Sequence, residues 1–352
     1  MQLNDLREPA PATQGAGASR PPNQPTLTFA TKESTGWRSN TLEILSNHGL
    51  LLFGLLLILI FSIMLPRFTS GQTATAILSI SSIVSLLALA QMVVITTANY
   101  DLSIGYSLGL LHIFAMGFLV HTALPWPLVV VAIIALGGII GLINGVLVEY
   151  AKIDSFIATL GVGTMLYGVG AFYTNGAQVV GRVPDGFAQI NYLHIFGVPL
   201  PAIFVALIVI VLWATLEYLP VGRQLYAVGS NRKAAELAGI PARRLVVGAF
   251  VVCGMIVGFD AIVLASRLQV GQSTVGPEFL LPAFVGALLG ATTVKPGRVN
   301  ALGTIIAVLV LAVGIAGLQQ FGFGFYVEPL FQGASLVLSV GLAGYAARRR
   351  AK

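Results

Sequence analysis

The sequence of 352 residues has little charge, one cysteine and few histidines. Charged residues make up 9% of the chain and hydrophobic residues 56%, whereas a soluble domain carries about 25% charged residues. A chain of this composition cannot cover itself with a hydrated surface, which excludes an ordinary soluble protein and indicates several membrane spans. Because Cys253 is the sole cysteine, an intrachain disulfide is also excluded.

Two kinds of catalytic site are missing as well. No lysine follows a glycine, so the chain contains no G-x-x-x-x-G-K-[ST] phosphate loop, and ATP, if it drives the protein, must be hydrolysed on another chain. The four histidines, His48, His112, His121 and His194, fall on separate segments and form no metal or catalytic cluster. We therefore expect neither an enzyme nor a cofactor on this chain.

What the chain does have is long apolar runs, of which each span needs about 20 residues. They predict an all-α polytopic membrane protein with about ten spans, the eighth of them short: 49–65, 74–96, 103–122, 126–148, 155–175, 198–219, 245–266, 279–293, 299–320 and 324–346. Residues 1–47 are polar and proline-containing, so we expect a disordered cytoplasmic tail. The transmembrane domain is 48–346, with a cytoplasmic loop at 220–244, and 347–352 is a basic cytoplasmic tail.

The basic residues predict the orientation. With both termini in the cytoplasm, only Arg67, Arg182 and Arg267 of the 19 lysines and arginines lie outside. Such a skew is what the positive-inside rule predicts. The net charge of +6 is then explained by membrane topology, and no nucleic-acid partner is needed.

Small residues predict close helix packing. Gly141 and Gly145, Gly254 and Gly258, and Gly286 and Gly290 are each four residues apart, a spacing that lets helix backbones approach within the chain or across a dimer. The loops "ITTANYDLSIGYSLG" (95–109) and "GATTVKPGRVNALGT" (290–304) both lead from an apolar run through Thr-Thr into a glycine-containing helix start. An inverted repeat of spans 2–5 and 7–10 is a hypothesis on this ground.

A short polar helix is predicted in "YAVGSNRKAAELAGIPARR" (226–244), between two spans. Ser230 or Asn231 can cap its start, and Gly239 followed by Pro241 is typical of a helix end. Its small apolar face, Ala234, Ala235, Leu237, Ala238 and Ile240, suits docking into a groove of a cytoplasmic partner. The alternative is a basic loop kept inside by topology alone.

These residues also resemble a known family. "LPVGRQLYAVGSNRKAAELAGIPARR" is similar to the cytoplasmic coupling segment of the ribose-type, simple-sugar permeases of ATP-binding-cassette importers. "DLSIGYSLGL" (101–110), "NGVLVEYAKIDSFIATLGVGTMLYGVGAFYTNG" (144–176) and "GFAQINYLHIFGVPLP" (186–201) resemble further segments of the family, in order, within about residues 75–345. The chain departs from the family pattern at Ala98–Tyr100, Ser155, 290–298 and Asp260.

The resemblance implies a permease in a bacterial-type inner membrane that imports a monosaccharide or similar polyol. It implies two cytoplasmic ATPases that hold ATP and Mg, an extracytoplasmic sugar-binding protein, and a second permease copy or paralogue. Contact with the ATPase is expected from one segment: Ser230, Asn231, Arg232, Lys233, Ala234, Ala235, Glu236, Leu237, Ala238, Gly239 and Ile240. The substrate pathway is expected to include Asn99, Tyr100, Asp101, Ser103, Asn144, Phe156 and Thr159.

Acidic residues in the spans leave alternatives open, because a central aspartate is costly in a bilayer, by about 2.5–3.5 kcal/mol. Asp101 is expected to be solvated or to cap the following helix, or else to act in the pathway or its gating. Asp260 is expected near the outer water interface, paired with Arg267. Glu149 and Glu217 are expected to be hydrated. A secondary transporter driven by an ion gradient is the alternative function, with Asp260 as its one deep acid.

Overall fold

The structure is a computed structural model that describes residues 38–295, 297–335 and 337. The helices in these ranges are α1 Arg38–Met64, α2 Gly71–Ile95, α3 Ile104–His121, α4 Trp126–Glu149, α5 Ser155–Thr174, α6 Asp185–Tyr192, α7 Leu200–Tyr218, α8 Pro220–Ser230, α9 Arg232–Leu237, α10 Ala242–Leu268, α11 Pro277–Gly290 and α12 Ala301–Gln320. Residues 327–335 are also helical. Strands β1 His194–Ile195 and β2 Val198–Pro199 form an antiparallel hairpin in which His194 lies opposite Pro199.

Seven of these helices, α2 to α5, α7, α10 and α12, are long and apolar enough to cross a membrane. The all-α, multi-pass prediction is therefore confirmed at this level, whereas the count of ten spans is not reached in the described part. Helix α11 has 14 residues, about 21 Å at 1.5 Å per residue, which is less than a hydrocarbon core of about 30 Å. The predicted eighth span, 279–293, is thus too short to cross alone.

The predicted ends of the chain fall mostly outside the described residues. Helix α1 begins at Arg38, within the stretch 1–47 predicted as a tail, and its shorter apolar part is Gly49–Met64. The predicted tenth span, 324–346, is described only in its first half, and the basic tail 347–352 lies beyond the described residues. Orientation, repeat and domain limits stay predictions.

Glycines bring α4 and α10 into backbone contact at the centre of the bundle. A Cβ added at Gly141 would lie 2.1 Å from the carbonyl oxygen of Phe250, and one at Gly254 would lie 2.1 Å from that of Gly137. Because no side chain fits there, the predicted glycine pairs serve packing within the chain. Gly286 and Gly290 lie in the same way against α12, at Val308 and Thr304.

Helix α11 begins beside the first turns of α3. Its N-cap, Gly276, has φ +121°, and a Cβ at Gly109 would meet the Val275 carbonyl oxygen. One turn further along α3, the buried His112 accepts from the Gln272 N–H at 3.3 Å through its Nε2 atom. The segment 269–276 therefore folds back along α3. Because α11 begins only after this segment, it runs through only the remaining thickness of the bundle.

Candidate functional site

The predicted polar helix exists and is α9. The Asn231 side chain caps it by accepting from the Ala234 N–H at 3.0 Å, so the cap is Asn231 and not Ser230, which ends α8. Gly239 has φ +79°, and the Ile240 N–H bonds back to the Ala235 carbonyl at 3.0 Å. The sequence did not indicate α8, which precedes α9 and forms the first 11 residues of the predicted loop 220–244.

The exposed surface of α9 is smaller than the sequence suggested. Leu237 is 89% exposed, and Ala234 and Ala238 are exposed beside it. Ala235, however, is only 5% exposed and Ile240 packs against the core, so both belong to the attachment of α9 to its own chain. The prediction that Ala235 faces a partner was wrong, because a six-residue helix needs one face for its own anchorage.

An ion pair fixes α9 to the end of α4. The Arg232 guanidinium donates to both carboxylate oxygens of Glu149, at 2.7 and 2.6 Å, and its Nε atom donates to Glu236 at 3.1 Å. The Glu149 side chain is fully buried, so the expectation that it is hydrated was wrong. Hydrogen bonding to Glu149 raises the pKa of Arg232 above its ordinary value. The pair therefore stays charged and holds α9 against α4.

Helix α8 contacts two connections between helices, which we name the first loop (96–103) and the second loop (291–295 and 297–300). A Cβ on Gly229 would lie 2.2 Å from the Thr96 carbonyl oxygen in the first loop. The Tyr226 hydroxyl donates to the Val299 carbonyl in the second loop at 2.8 Å, and the Arg298 guanidinium lies 3.6 Å from the Tyr226 ring centroid. Burial raises the pKa of Tyr226, so its hydroxyl stays a donor at neutral pH.

Glu217, at the end of α7, binds the second loop through Lys295 and Arg298, the latter at 3.4 Å. Its side chain is 15% exposed and those of its two basic partners are more exposed, so Glu217 is partly hydrated, in contrast to Glu149. The α8–α9 segment is thus joined to α4, to the first loop and to the second loop at once.

A buried polar cluster lies where the first loop enters α3. Asp101 accepts from the Ser103 N–H at 2.9 Å and from its hydroxyl at 2.6 Å. The Asn144 amide on α4 donates to the Asp101 carboxylate at 3.3 Å and to the Ser103 hydroxyl at 2.8 Å. Cys253 on α10 lies 3.9 Å away, as a buried residue that contacts the carboxylate. Asp101 is therefore buried, and its predicted solvation was wrong.

Two more side chains complete the cluster. Gln91, fully buried on α2, was missed by the sequence reasoning; with its amide oriented to fit its partners, it donates to the Asp101 carbonyl at 3.0 Å. The Thr159 hydroxyl accepts from the Leu102 N–H at 2.9 Å. The structure thus brings together Asp101, Ser103, Asn144 and Thr159 of the predicted pathway residues.

The other three predicted pathway residues lie apart from the cluster. Asn99 is half-buried and donates to Thr97 within the first loop. Tyr100 is 38% exposed, with its ring 5.6 Å from that of Phe284, and Phe156 is an exposed residue of α5. These three side chains border the outside of the bundle near the first loop, and their contact with a substrate stays a prediction.

Asp260 lies elsewhere in the bundle. It is fully buried on α10, and neither of its carboxylate oxygens has a hydrogen-bond partner among the described residues. The expected pairing with Arg267 at a water interface is absent from that part of the chain, so this expectation was wrong. Nor do the described residues hold a cluster of three or more metal-ligating side chains.

Comparison with known proteins gives the class. Residues 73–340 match the family described as branched-chain amino acid transport system / permease component. This match covers most of the chain, and it makes the multi-pass bundle a transport permease. The chain belongs to this permease family, and the resemblance on which the sequence analysis relied is confirmed.

Three relatives of the chain are permeases named for the import of ribose or of autoinducer 2. The chain is 31% identical to the ribose import permease protein RbsC of Bacillus subtilis over 81% of its own length and 88% of the relative. It is 30% identical to RbsC of Escherichia coli K12 over 89% and 98%, and to the autoinducer 2 import system permease protein LsrD of E. coli SMS-3-5 over 73% and 79%. No solved structure matches the chain.

Proposed function

We propose that this chain is the permease subunit of an ATP-binding-cassette importer that translocates a monosaccharide or a similar small polyol. The observation that carries the proposal is α9: a short capped helix, clamped to its own bundle through Arg232 and Ala235, which still presents Leu237 to the outside. An exposed leucine beside two exposed alanines suits a shallow groove on a soluble partner. We assign that groove to a cytoplasmic ATPase dimer, which binds ATP and Mg.

The contacts of α8 give a route from the ATPase to the membrane. A push on α9 reaches α4 through Glu149, and through α8 it reaches the first loop at Thr96 and the second loop at Val299. The first loop carries Asp101, which is bonded to Asn144 on the same helix as Glu149. ATP-driven motion of α9 is thereby coupled to the polar cluster inside the bundle.

A neutral, hydroxyl-rich substrate is consistent with this interior. Hydroxyls require hydrogen-bond partners and aromatic faces, and the residues bordering the first loop supply amide, hydroxyl and ring surfaces. The proposed pathway is Asn99, Tyr100, Asp101, Ser103, Asn144, Phe156 and Thr159. The relatives are named for import of ribose and autoinducer 2, which supports a small polar solute here.

The rest of the assembly follows from the same proposal. An extracytoplasmic binding protein delivers the solute, and a second permease copy or paralogue completes the pore in a bacterial inner membrane. Both termini and the α8–α9 segment are cytoplasmic, as the distribution of lysine and arginine indicates. No nucleic acid takes part.

The test is reconstitution. The chain is extracted mildly from its native membrane and the proteins that purify with it are identified. The complex is then placed in vesicles, and uptake of labelled sugar is measured in the presence of the soluble extracytoplasmic proteins of the same cells. We expect an ATP-binding-cassette ATPase to co-purify, and uptake to require ATP and to persist when ionophores collapse all ion gradients. A chain that purifies alone and transports only under an ion gradient would overturn the proposal.

A second candidate, the ion-driven transporter, is favoured by one observation: the buried Asp260 carboxylate has no hydrogen-bond partner among residues 38–295, 297–335 and 337. An intramembrane acid without a partner is a frequent ion or proton site in such proteins. Asp260→Asn has the same shape and cannot ionise, so the two functions give opposite results. Under our proposal this variant keeps full ATP-dependent uptake, whereas loss of uptake with normal assembly would favour the ion-driven transporter.

A further inference from the structure

The hairpin between α6 and α7 exposes an unusual amount of apolar surface. Its turn residue Phe196 is fully exposed, and Tyr192, Leu193, Ile195 and Val198 beside it are exposed as well. Hydrophobic side chains that are grouped in this way mark a surface that is covered in the working protein.

The conformation of the turn indicates that Phe196 does not stabilise the fold. Phe196 has φ +52° and Gly197 has φ +81°, so both central residues of the two-residue turn are left-handed. That conformation favours glycine, asparagine or aspartate, and a phenylalanine in it is strained. Because the Phe196 side chain is fully exposed, it gains nothing from its own chain that would offset this strain.

The sequence of the hairpin carries no charge. Between Asp185 and Glu217 there is no aspartate, glutamate, lysine or arginine. Across space, the half-buried Arg267 borders this surface, where its carbonyl accepts from the Tyr192 hydroxyl at 3.4 Å. A surface that docks a soluble protein has a charged and polar rim. An uncharged surface with aromatic residues is typical of the boundary between lipid tails and headgroups.

The length of α7 places the hairpin at that boundary. Helix α7 has 19 residues, about 28 Å, which nearly equals the roughly 30 Å of the hydrocarbon core. Its exposed residues lie in the middle and the second half of the helix, at Ala206, Leu207, Ile210, Val211, Trp213 and Tyr218, so one side of α7 is open to the surroundings of the bundle. Because β2 ends at Pro199 and α7 starts at Leu200, the hairpin lies within one short strand of the edge of the hydrocarbon core.

The other end of α7 carries a matching feature. Trp213 and Tyr218 stack edge to face there, with ring centroids 5.1 Å apart, and both are exposed to the surroundings of the bundle. Tyr and Trp at the two ends of a span are typical membrane anchors. Tyr192 and Phe196 occupy the corresponding place at the end that leads away from α8 and α9.

We propose that the β1–β2 hairpin is a lipid anchor, with Phe196 inserted into the headgroup and acyl-chain boundary of the outer leaflet. Its ligand is the lipid surface itself. The anchor fixes the height of α7 in the bilayer, and α7 in turn holds Glu217 against the second loop. This assignment concerns the hairpin alone and is independent of the substrate and of the ATPase.

The test uses the cysteine content of the chain. Cys253 is the sole cysteine and is fully buried, so a cysteine placed at position 196 can be spin-labelled selectively. Phe196→Cys is reconstituted as full-length protein in phosphatidylethanolamine/phosphatidylglycerol vesicles. Collision rates are then measured with oxygen, which partitions into lipid, and with a water-soluble nickel chelate. Val211→Cys, exposed in the middle of α7, is the lipid control, and Gln178→Cys, exposed between α5 and α6, is the water control.

We expect the ratio of oxygen to nickel collisions at position 196 to exceed that of the Gln178 label several-fold and to stay below that of the Val211 label. A ratio equal to the Gln178 value would overturn the proposal, since the hairpin would then be in water. Low collision rates with both reagents would also overturn it, because a protein would then cover the hairpin. Tyr192→Cys is the second variant, should Phe196→Cys fail to assemble, and the same ranking is expected for it.

Discussion

The first and second loops have the same local design but are fixed by different forces. In each, a threonine hydroxyl at the end of the preceding helix donates three residues back, Thr96 to Val93 at 2.6 Å and Thr292 to Leu289 at 2.7 Å. Each then has a non-glycine residue in the left-handed region, Ala98 at φ +58° in the first and Val294 at φ +66° in the second.

An Asp or Asn side chain completes each loop at the start of the next helix. Asp101 accepts from the Ser103 N–H, and Asn300 accepts from the Gly303 N–H at 2.7 Å. The first loop is held inside the bundle by the buried Asp101 carboxylate. The second is held inside by the buried Asn300 side chain and, at its partly exposed side, by the pairs of Lys295 and Arg298 with Glu217. Only the second loop therefore has contacts that salt can screen, and α8 contacts both loops.

The largest effect is expected for Asp101→Ala, which removes the buried carboxylate that holds the first loop. The Ser103 N–H and the Asn144 amide lose a buried acceptor, at about 1–3 kcal/mol for each group left unpaired. We expect loss of uptake and a clear fall in thermal stability in detergent. Asp154→Ala removes an exposed aspartate that accepts from the Phe156 N–H in the same way, and it serves as the control with a cost of about 1 kcal/mol.

Asp101→Asn tests the charge of the Asp101 side chain separately from its hydrogen bond to Ser103. An asparagine can still accept from Ser103, but its amino group would face the amide donor of Asn144, so we expect reduced uptake with normal assembly. Unchanged uptake would mean that Asp101 acts only through the turn that it forms with Ser103, without any role of its charge.

The second-largest effect is expected for Gly229→Ala, because the added methyl group forces α8 away from the first loop. The added methyl would lie 2.2 Å from the Thr96 carbonyl oxygen, and an overpacked contact of this kind typically costs about 1–3 kcal/mol. We expect the ATPase to stay bound while uptake per ATP hydrolysed falls strongly. Gly248→Ala, where a Cβ meets nothing within 4 Å, should leave both unchanged; equal behaviour of the two variants would refute the contact's role.

A moderate effect is expected for Asn300→Ala in the second loop. The substitution removes the cap of α12 and the amide bonds to the carbonyls of Gly290 and Thr293, at 3.2 and 3.1 Å. Loss of a helix cap costs about 0.5–2 kcal/mol, so stability should fall by less than for Asp101→Ala. A larger fall than for Asp101→Ala would reverse the ranking of the two loops.

The smallest effect is expected for Glu217→Gln. Partly exposed ion pairs contribute about 0–1 kcal/mol and are screened by salt. Stability in low salt should therefore drop slightly, and the difference from the parent should vanish in high salt. A difference that is the same at both salt concentrations would show that this pair is not held by screened charge.

Local signals in the sequence predicted α9 well. The Asn231 cap, Gly239 and Pro241 are neighbours in sequence, and each acts on backbone groups within a few residues. The spans were readable for a similar reason, since length and apolar composition suffice for them. The local likeness of 95–109 and 290–304 was also visible in the sequence, while the inverted repeat stays a prediction.

Long-range pairing could not be read in this way. Glu149 and Arg232 are 83 residues apart, and nothing near Glu149 in sequence indicates that its carboxylate is buried under α9. The burial of Asp101 depends on Asn144 and Cys253, which come from two other helices. Ala235 differs from Ala234 and Ala238 only in which side of α9 meets the bundle.

The most direct test of the account is the affinity of the ATPase for permease carrying Leu237→Asp. The parent chain and the variant are titrated with the co-purifying ATPase in nanodiscs, with Ile153→Asp as the control that adds the same charge at an exposed site between α4 and α5. We predict that Leu237→Asp weakens binding at least tenfold, about 1.4 kcal/mol, and abolishes uptake, while Ile153→Asp does neither. Unchanged binding and uptake with Leu237→Asp would contradict the assignment of α9 as the docking helix.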